Sequence, residues 1–153
     1  MNSLYSLSPE AVVIATATTK DAVLEQIAAL FAQVYDLDRA RVLENLQLRE
    51  DLGSTGFGRG VALPHARLAG LKRPVAAFIK LMSPVAYDSA DHQPVAMAFG
   101  LLSPENAGTT HLHALAAVSR HLRDERTHEA LMHSSDPDAI YALLSSDWDR
   151  DAA

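Results

Sequence analysis

Two apolar runs, Val75 to Met82 and Val95 to Leu102, set the strongest limit on how this chain can fold. Each is of strand length, nearly free of polar side chains and bounded by prolines. A strand with one face in water would alternate, so near-continuous apolarity predicts strands covered on both faces. The covers are legible in the flanking sequence. Thr18 or Thr19 is placed to cap a helix along which Val23, Ile27, Leu30 or Phe31, and Val34 recur at helical spacing, and a second helix runs from Asp38 through Val42, Leu43 and Leu46, with Arg49 at its end. A third is expected after Thr109 or Thr110, with Leu112, Leu115, Val118 and Leu122 along one side. Asp136-Pro137 opens a last one holding Ile140, Leu143 and Leu144. With a first short strand at Val12 to Ile14, the pattern predicts an α/β fold, helices over a central sheet.

The chain has 153 residues, 48% hydrophobic and 21% charged, which suits one domain with a core of ordinary size. No internal repeat, low-complexity tract or linker divides it, so residues 1–153 read as one unit. A net charge of −6 argues against nucleic acid or an anionic membrane as partner. The N-terminus lacks a signal-peptide pattern and no run reaches the roughly 18 apolar residues of a membrane span, so a cytoplasmic location without membrane insertion is expected. The absence of cysteine removes disulfides, thiolate nucleophiles and cysteine-based zinc sites.

Between the second helix and the first apolar run lies REDLGSTGFGRGVALPHAR, residues 49–67, with glycines at 53, 56, 58 and 60. It satisfies neither phosphate-binding motif. Arg59-Gly60 stands where a P-loop needs Lys followed by Ser or Thr, and Val61 stands where a dinucleotide fingerprint starting at Gly56 needs glycine. Pro64 fixes its own φ and biases Leu63 toward extended backbone, so His65 is expected on a stiffened strand rather than a free loop. His111 and His113, two apart on a helix, point to different sides and do not make a metal pair.

Arg49-Glu50-x-x-Gly53-Ser54-Thr55-Gly56-x-Gly58-x-Gly60-x-Ala62-x-Pro64-His65 resembles the signature of the mannitol/fructose-type EIIA domains of the bacterial phosphoenolpyruvate phosphotransferase system, the nitrogen-regulatory EIIA branch above all. The resemblance continues through Asp91-His92-Gln93-Pro94-Val95 and Thr110-His111-Leu112-His113, and covers about residues 7–146. The chain departs from the pattern at Phe57, Arg59, Ala66 and Ala96, where isoleucine, asparagine, glycine and an acidic residue are frequent.

The resemblance implies a single domain with a central mixed β-sheet flanked by helices. It also implies that His65 accepts a phosphoryl group from a histidine phosphocarrier of the HPr or NPr type, without a cofactor or metal. It marks His111 as a hydrogen-bond donor to the phosphoryl group and Arg49 as its electrostatic partner. Ser54, Thr55 and Gly56 are supporting residues, although their side chains suit bracing a turn equally well. The chemistry agrees with the residue types. A neutral imidazole carries one nitrogen free to attack phosphorus, and phosphoryl transfer needs mainly positioning and donors around anionic oxygens. His111 in the first turn of a helix would meet the dipole as a neutral ring. The remaining histidines, His92, His121, His128 and His133, are expected at the surface.

Three functions share this histidine: a regulatory phosphocarrier acting on targets such as potassium-transport regulators or sensor kinases, an EIIA subunit passing phosphate to a sugar-transporter EIIB, and a binding module indifferent to phosphorylation.

Overall fold

The structure, a computed structural model, describes residues 4–152, with side chains described through residue 145. Six strands form one mixed sheet: β1 (Ser6–Ala15), β2 (Gly56–Gly58), β3 (Val61–Ala62), β4 (His65–Leu68), β5 (Val75–Val85) and β6 (Val95–Pro104). Its order is β1-β5-β6-β3-β2, and β4 also pairs with β6. The helices are α1 (Lys20–Tyr35), α2 (Arg39–Asp51), α3 (Thr109–Arg123), α4 (Glu125–His133) and α5 (Pro137–Ala152).

The two apolar runs are β5 and β6, adjacent and antiparallel at the centre of the sheet. Their alternation sends Ala77, Ile79, Ala98 and Leu102 to one face and Phe78, Met97, Phe99 and Leu101 to the other. The first face is covered by Val23, Ile27 and Phe31 of α1 with Val42 and Leu46 of α2, and the second by Ala114, Val118 and Leu122 of α3, Leu131 of α4 and Ile140 and Leu144 of α5. Removing both faces from water is what makes such strands apolar at every position.

Helix starts follow local chemistry. Thr19 accepts from Ala22 N, and Asp38 from Ala40 N and Arg41 N, as expected of N-caps. Helix α3 differs. Its cap is Gly108, with no side-chain hydrogen bond, and Thr109 and Thr110 are its first helical residues rather than its cap. Helix α4 is absent from the sequence-based expectations. Asp124 is at once the C-cap of α3 and the N-cap of α4, accepting from Thr127 N, so no turn-like segment announces the break. His121 and His128 are corrections too: both are buried, because they lie on the core-facing sides of α3 and α4. His128 Nε2 donates to Arg59 O at 2.8 Å and His121 Nε2 to Leu143 O at 3.3 Å. His92 and His133 are exposed as expected.

Residues 61–68 run along one edge of β6, parallel to it, in two pieces. At the break, Leu63 N turns away to donate to Thr55 O, and Pro64 has no N–H to give, while its carbonyl accepts from Leu101 N. Pairing resumes with His65 opposite Leu101 and Arg67 opposite Ser103. Ala66 sits in this regular strand with no left-handed φ, so alanine fits where the family favours glycine. Among the described residues no helix is long and apolar enough to cross a membrane.

Candidate functional site

The glycines of residues 53–60 shape the approach to this strand. Gly56 is buried where a Cβ would come within 2.3 Å of Ser89 Oγ, a contact only glycine permits. The turn Gly58-Arg59-Gly60 runs through φ of 113°, 58° and 81°, and Arg59 N is held there by Asp91 Oδ2 at 2.9 Å. A left-handed residue at 59 accounts for the asparagine common there, since asparagine enters that region more easily than arginine. The glycines therefore serve close packing and turning of the chain.

His65 opens β4, half-buried, with its side chain on the α3 face of the sheet. Its Nδ1 lies 2.8 Å from Leu63 O. A carbonyl only accepts, so Nδ1 carries the proton and Nε2 carries the free electron pair. That pair receives Arg49 Nε at 3.2 Å, from the last turn of α2, and Arg49 Nη1 donates to Gly53 O at 2.8 Å. Burial, with the Arg49 charge, pushes the His65 pKa below its ordinary value of 6.5, against the opposing pulls of the Leu63 hydrogen bond and of Glu50.

The His111 ring lies 5.7 Å from that of His65, centroid to centroid. It is buried in the first turn of α3, and its Nδ1 is 2.6 Å from Ser103 Oγ. Burial first, then the Arg67 and His65 charges, lower its pKa to about 4, so it is neutral at pH 7. The sheet brings in one face of the site and the helix ends bring in the rest: β4 supplies His65, α2 supplies Arg49 and α3 supplies His111.

Ser54, Thr55 and Gly56 neighbour this cluster with their polar groups engaged in bracing. Ser54 Oγ donates to Tyr87 O and accepts from Gly56 N, at 2.9 and 3.1 Å. Thr55 N donates to Glu50 Oε2 at 2.7 Å and its hydroxyl to Glu50 Oε1. Three contributors escaped the sequence reading. Glu50, buried beside Arg49 in the chain, also takes Lys20 Nζ at 3.2 Å and so ties the start of α1 to the end of α2 and the loop. Arg67 shares the His65 face of β4 and donates to Gly108 O at the start of α3; strand alternation from His65 was the signal for it. Ser103 carried no signal in the sequence.

This arrangement combines a nucleophilic nitrogen fixed in one tautomer, a guanidinium against it and a second neutral histidine nearby, at a half-open surface. It suits transfer of a small anionic group to or from nitrogen. Residues 6–147 match the family model "Phosphoenolpyruvate-dependent sugar phosphotransferase system, EIIA 2". A nitrogen regulatory protein of Bradyrhizobium diazoefficiens is 40% identical over 140 residues, 91% of this chain and 92% of that one. Another, from Pseudomonas aeruginosa, is 40% identical over 127 residues, 82% of each chain. Among solved structures, the nitrogen regulatory protein IIA-Ntr of Neisseria meningitidis superposes with a TM-score of 0.83 at 36% identity, covering 91% of this chain and 96% of that one. With its family model matched over nearly its whole length and its fold shared with such relatives, the chain belongs to the EIIA type 2 family of the phosphoenolpyruvate-dependent phosphotransferase system.

Proposed function

We propose that this protein is a phosphohistidine carrier that takes a phosphoryl group from an HPr- or NPr-type phosphocarrier onto His65 Nε2 and regulates partner proteins according to that state, in the cytoplasm. The observation that carries the reading is the His65 tautomer: Nδ1–H is committed to Leu63 O, so the exposed chemistry is the Nε2 electron pair. In the transfer, that pair forms the new N–P bond as the carrier's N–P bond breaks, and the carrier's imidazole leaves with the bonding electrons. The carrier's phosphorylated ring, protonated on its other nitrogen, leaves as a neutral imidazole, and His65, keeping Nδ1–H, takes up the formal positive charge beside the phosphoryl group, so no general acid is needed. Arg49 then exchanges its contact with Nε2 for the phosphoryl oxygens, and neutral His111 supplies a further hydrogen bond.

A regulatory role is supported by the relatives, named as nitrogen regulatory proteins. Phosphorylation adds about −1.5 to −2 charge at His65, and Leu48, Leu52 and Leu112, neighbours in the chain of Arg49, Gly53 and His111, are exposed, so a partner that docks across them must meet or avoid that charge. Potassium-transport regulators and sensor kinases are targets of the expected kind.

Incubation with phosphoenolpyruvate, enzyme I and HPr or NPr, followed by intact mass, should add one phosphoryl group, acid-labile and alkali-stable. His65→Ala should take none, and labelling retained in that variant overturns the assignment. Arg49→Gln should melt close to wild type while transfer slows by about ten- to a thousandfold, the range for one lost electrostatic donor. Equal binding of regulatory targets by the phosphorylated protein and by His65→Ala would leave carriage of phosphate to a sugar-transporter EIIB as the better description.

A further inference from the structure

We propose that Ser103 is a positioning residue that fixes His111 as the Nε2–H tautomer, making it a donor to an anion on His65 and preventing it from acting as a second phosphoryl acceptor. The proposal rests on the carrier reading for its consequence, and on hydrogen-bond accounting for its substance.

Ser103 is fully buried in β6 and is the strand's one side chain with a hydroxyl. Register places it two residues beyond Leu101, the partner of His65, so it shares the face on which His65 and Arg67 stand. Its Oγ lies 2.6 Å from His111 Nδ1, and among the described residues it has no other hydrogen-bond partner.

A neutral ring offers two arrangements. If Nδ1 carried the proton and donated to Ser103, the serine's own hydrogen would be a buried donor with nothing to accept it, and Nε2 would present a bare electron pair. If Ser103 donates to Nδ1, the hydroxyl hydrogen is satisfied and Nε2 carries the ring proton. A buried orphan donor is costly, whereas spare lone pairs on a hydroxyl oxygen are tolerated. The second arrangement is therefore selected.

The two histidines then have opposite tautomers. Leu63 O holds the proton of His65 on Nδ1 and leaves Nε2 nucleophilic. Ser103 occupies Nδ1 of His111 and leaves Nε2 a donor. A proton on Nε2 blocks attack on phosphorus from that nitrogen, and Nδ1 is turned into the sheet. This explains, from one buried hydroxyl, how two neutral imidazoles 5.7 Å apart divide into acceptor and donor.

The test compares wild type, Ser103→Thr and Ser103→Val, the last two differing only by a hydroxyl against a methyl and so controlling for the added bulk. Two-bond ¹⁵N–¹H spectra of the histidine rings at pH 7, on unphosphorylated protein, should show His111 as Nε2–H in wild type and Ser103→Thr. In Ser103→Val the Nδ1 resonance of His111 should move downfield, as a lone pair that has lost its donor, with the ring no longer anchored. With prephosphorylated HPr- or NPr-type carrier, Ser103→Val should transfer about three- to thirtyfold more slowly than Ser103→Thr at an unchanged half-saturating carrier concentration, less than the loss from deleting a donor outright. An Nδ1–H signal for His111 in wild type overturns the proposal, as does a Ser103→Val protein with the spectrum and rate of Ser103→Thr. Should wild type accept no phosphoryl group at all, the carrier reading fails, and the tautomer is decided by the spectra alone.

Discussion

At the scale of the residue, the candidate site holds two histidines that resist protonation. His65 and His111 are both held below the ordinary histidine pKa, the first by burial and Arg49, the second by burial, Arg67 and His65. For His111 the folded value of about 4 lies below the ordinary 6.5 that the unfolded chain retains. Between those two values the unfolded state binds the extra proton, so stability falls as pH drops through the window and is recovered as pH rises above it. His111→Gln cannot titrate. Its melting temperature should therefore decline less than that of wild type between pH 6.5 and 4, with the gap between the two curves becoming constant above about pH 7. Parallel curves across that range would mean that His111 is not the depressed histidine.

Elements meet the sheet at distances set by small residues. Gly100, in the middle of β6, faces α1, where an added Cβ would stand 2.9 Å from Phe31 Cε2 and 3.0 Å from Ile27 Cγ2. Phe31 and Ile27 are both fully buried, so neither has space to yield. Gly100→Ala should cost about 1–3 kcal/mol by overpacking, read as a lowered denaturant midpoint at unchanged m-value. A midpoint equal to wild type would show that α1 can ride outward on the sheet. That matters for the site because Lys20 at the start of α1 holds Glu50, and Glu50 holds the Thr55 loop.

The whole molecule is acidic, with a net charge of −6, yet Arg49 and Arg67 stand at its site. Among the described residues the large exposed hydrophobics are Leu48, Leu52, Met82 and Leu112, and three of these adjoin site residues in the chain. Leu52 follows α2 at 84% exposure, and Leu112 follows His111 at 59%. Leu63, for all its nearness to His65 in sequence, is buried, and Phe57 lies under the Arg123 guanidinium, so neither is an open apolar surface. Leu52→Ser and Leu112→Ser should leave melting within the small range of surface substitutions while raising the half-saturating carrier concentration about five- to thirtyfold each, the equivalent of about 1–2 kcal/mol of docking energy. Unchanged saturation in both would place the docking surface elsewhere.

The amino-acid sequence by itself determined what depends on neighbours along the chain. The caps at Thr19 and Asp38, the periodicity of α1 and α2, the two strands buried on both faces and the stiffening of the chain before His65 all follow from dihedral preference and local hydrogen bonding. The signature around His65 carried the family as well, because closely spaced residues that form one strand and one turn leave a contiguous trace. Tertiary structure alone decided which nitrogen of His65 is free, since that depends on how the Leu63-Pro64 break turns a carbonyl toward the ring. It decided also that His121 and His128 are interior, that α4 exists, and that Glu50, Lys20 and Tyr87 converge on Thr55. Ser103 makes the reason plain. A serine in an apolar strand has no local signature of function, and its role arises only when β6 and α3 pack so that its hydroxyl is, among the described residues, the partner of His111 Nδ1.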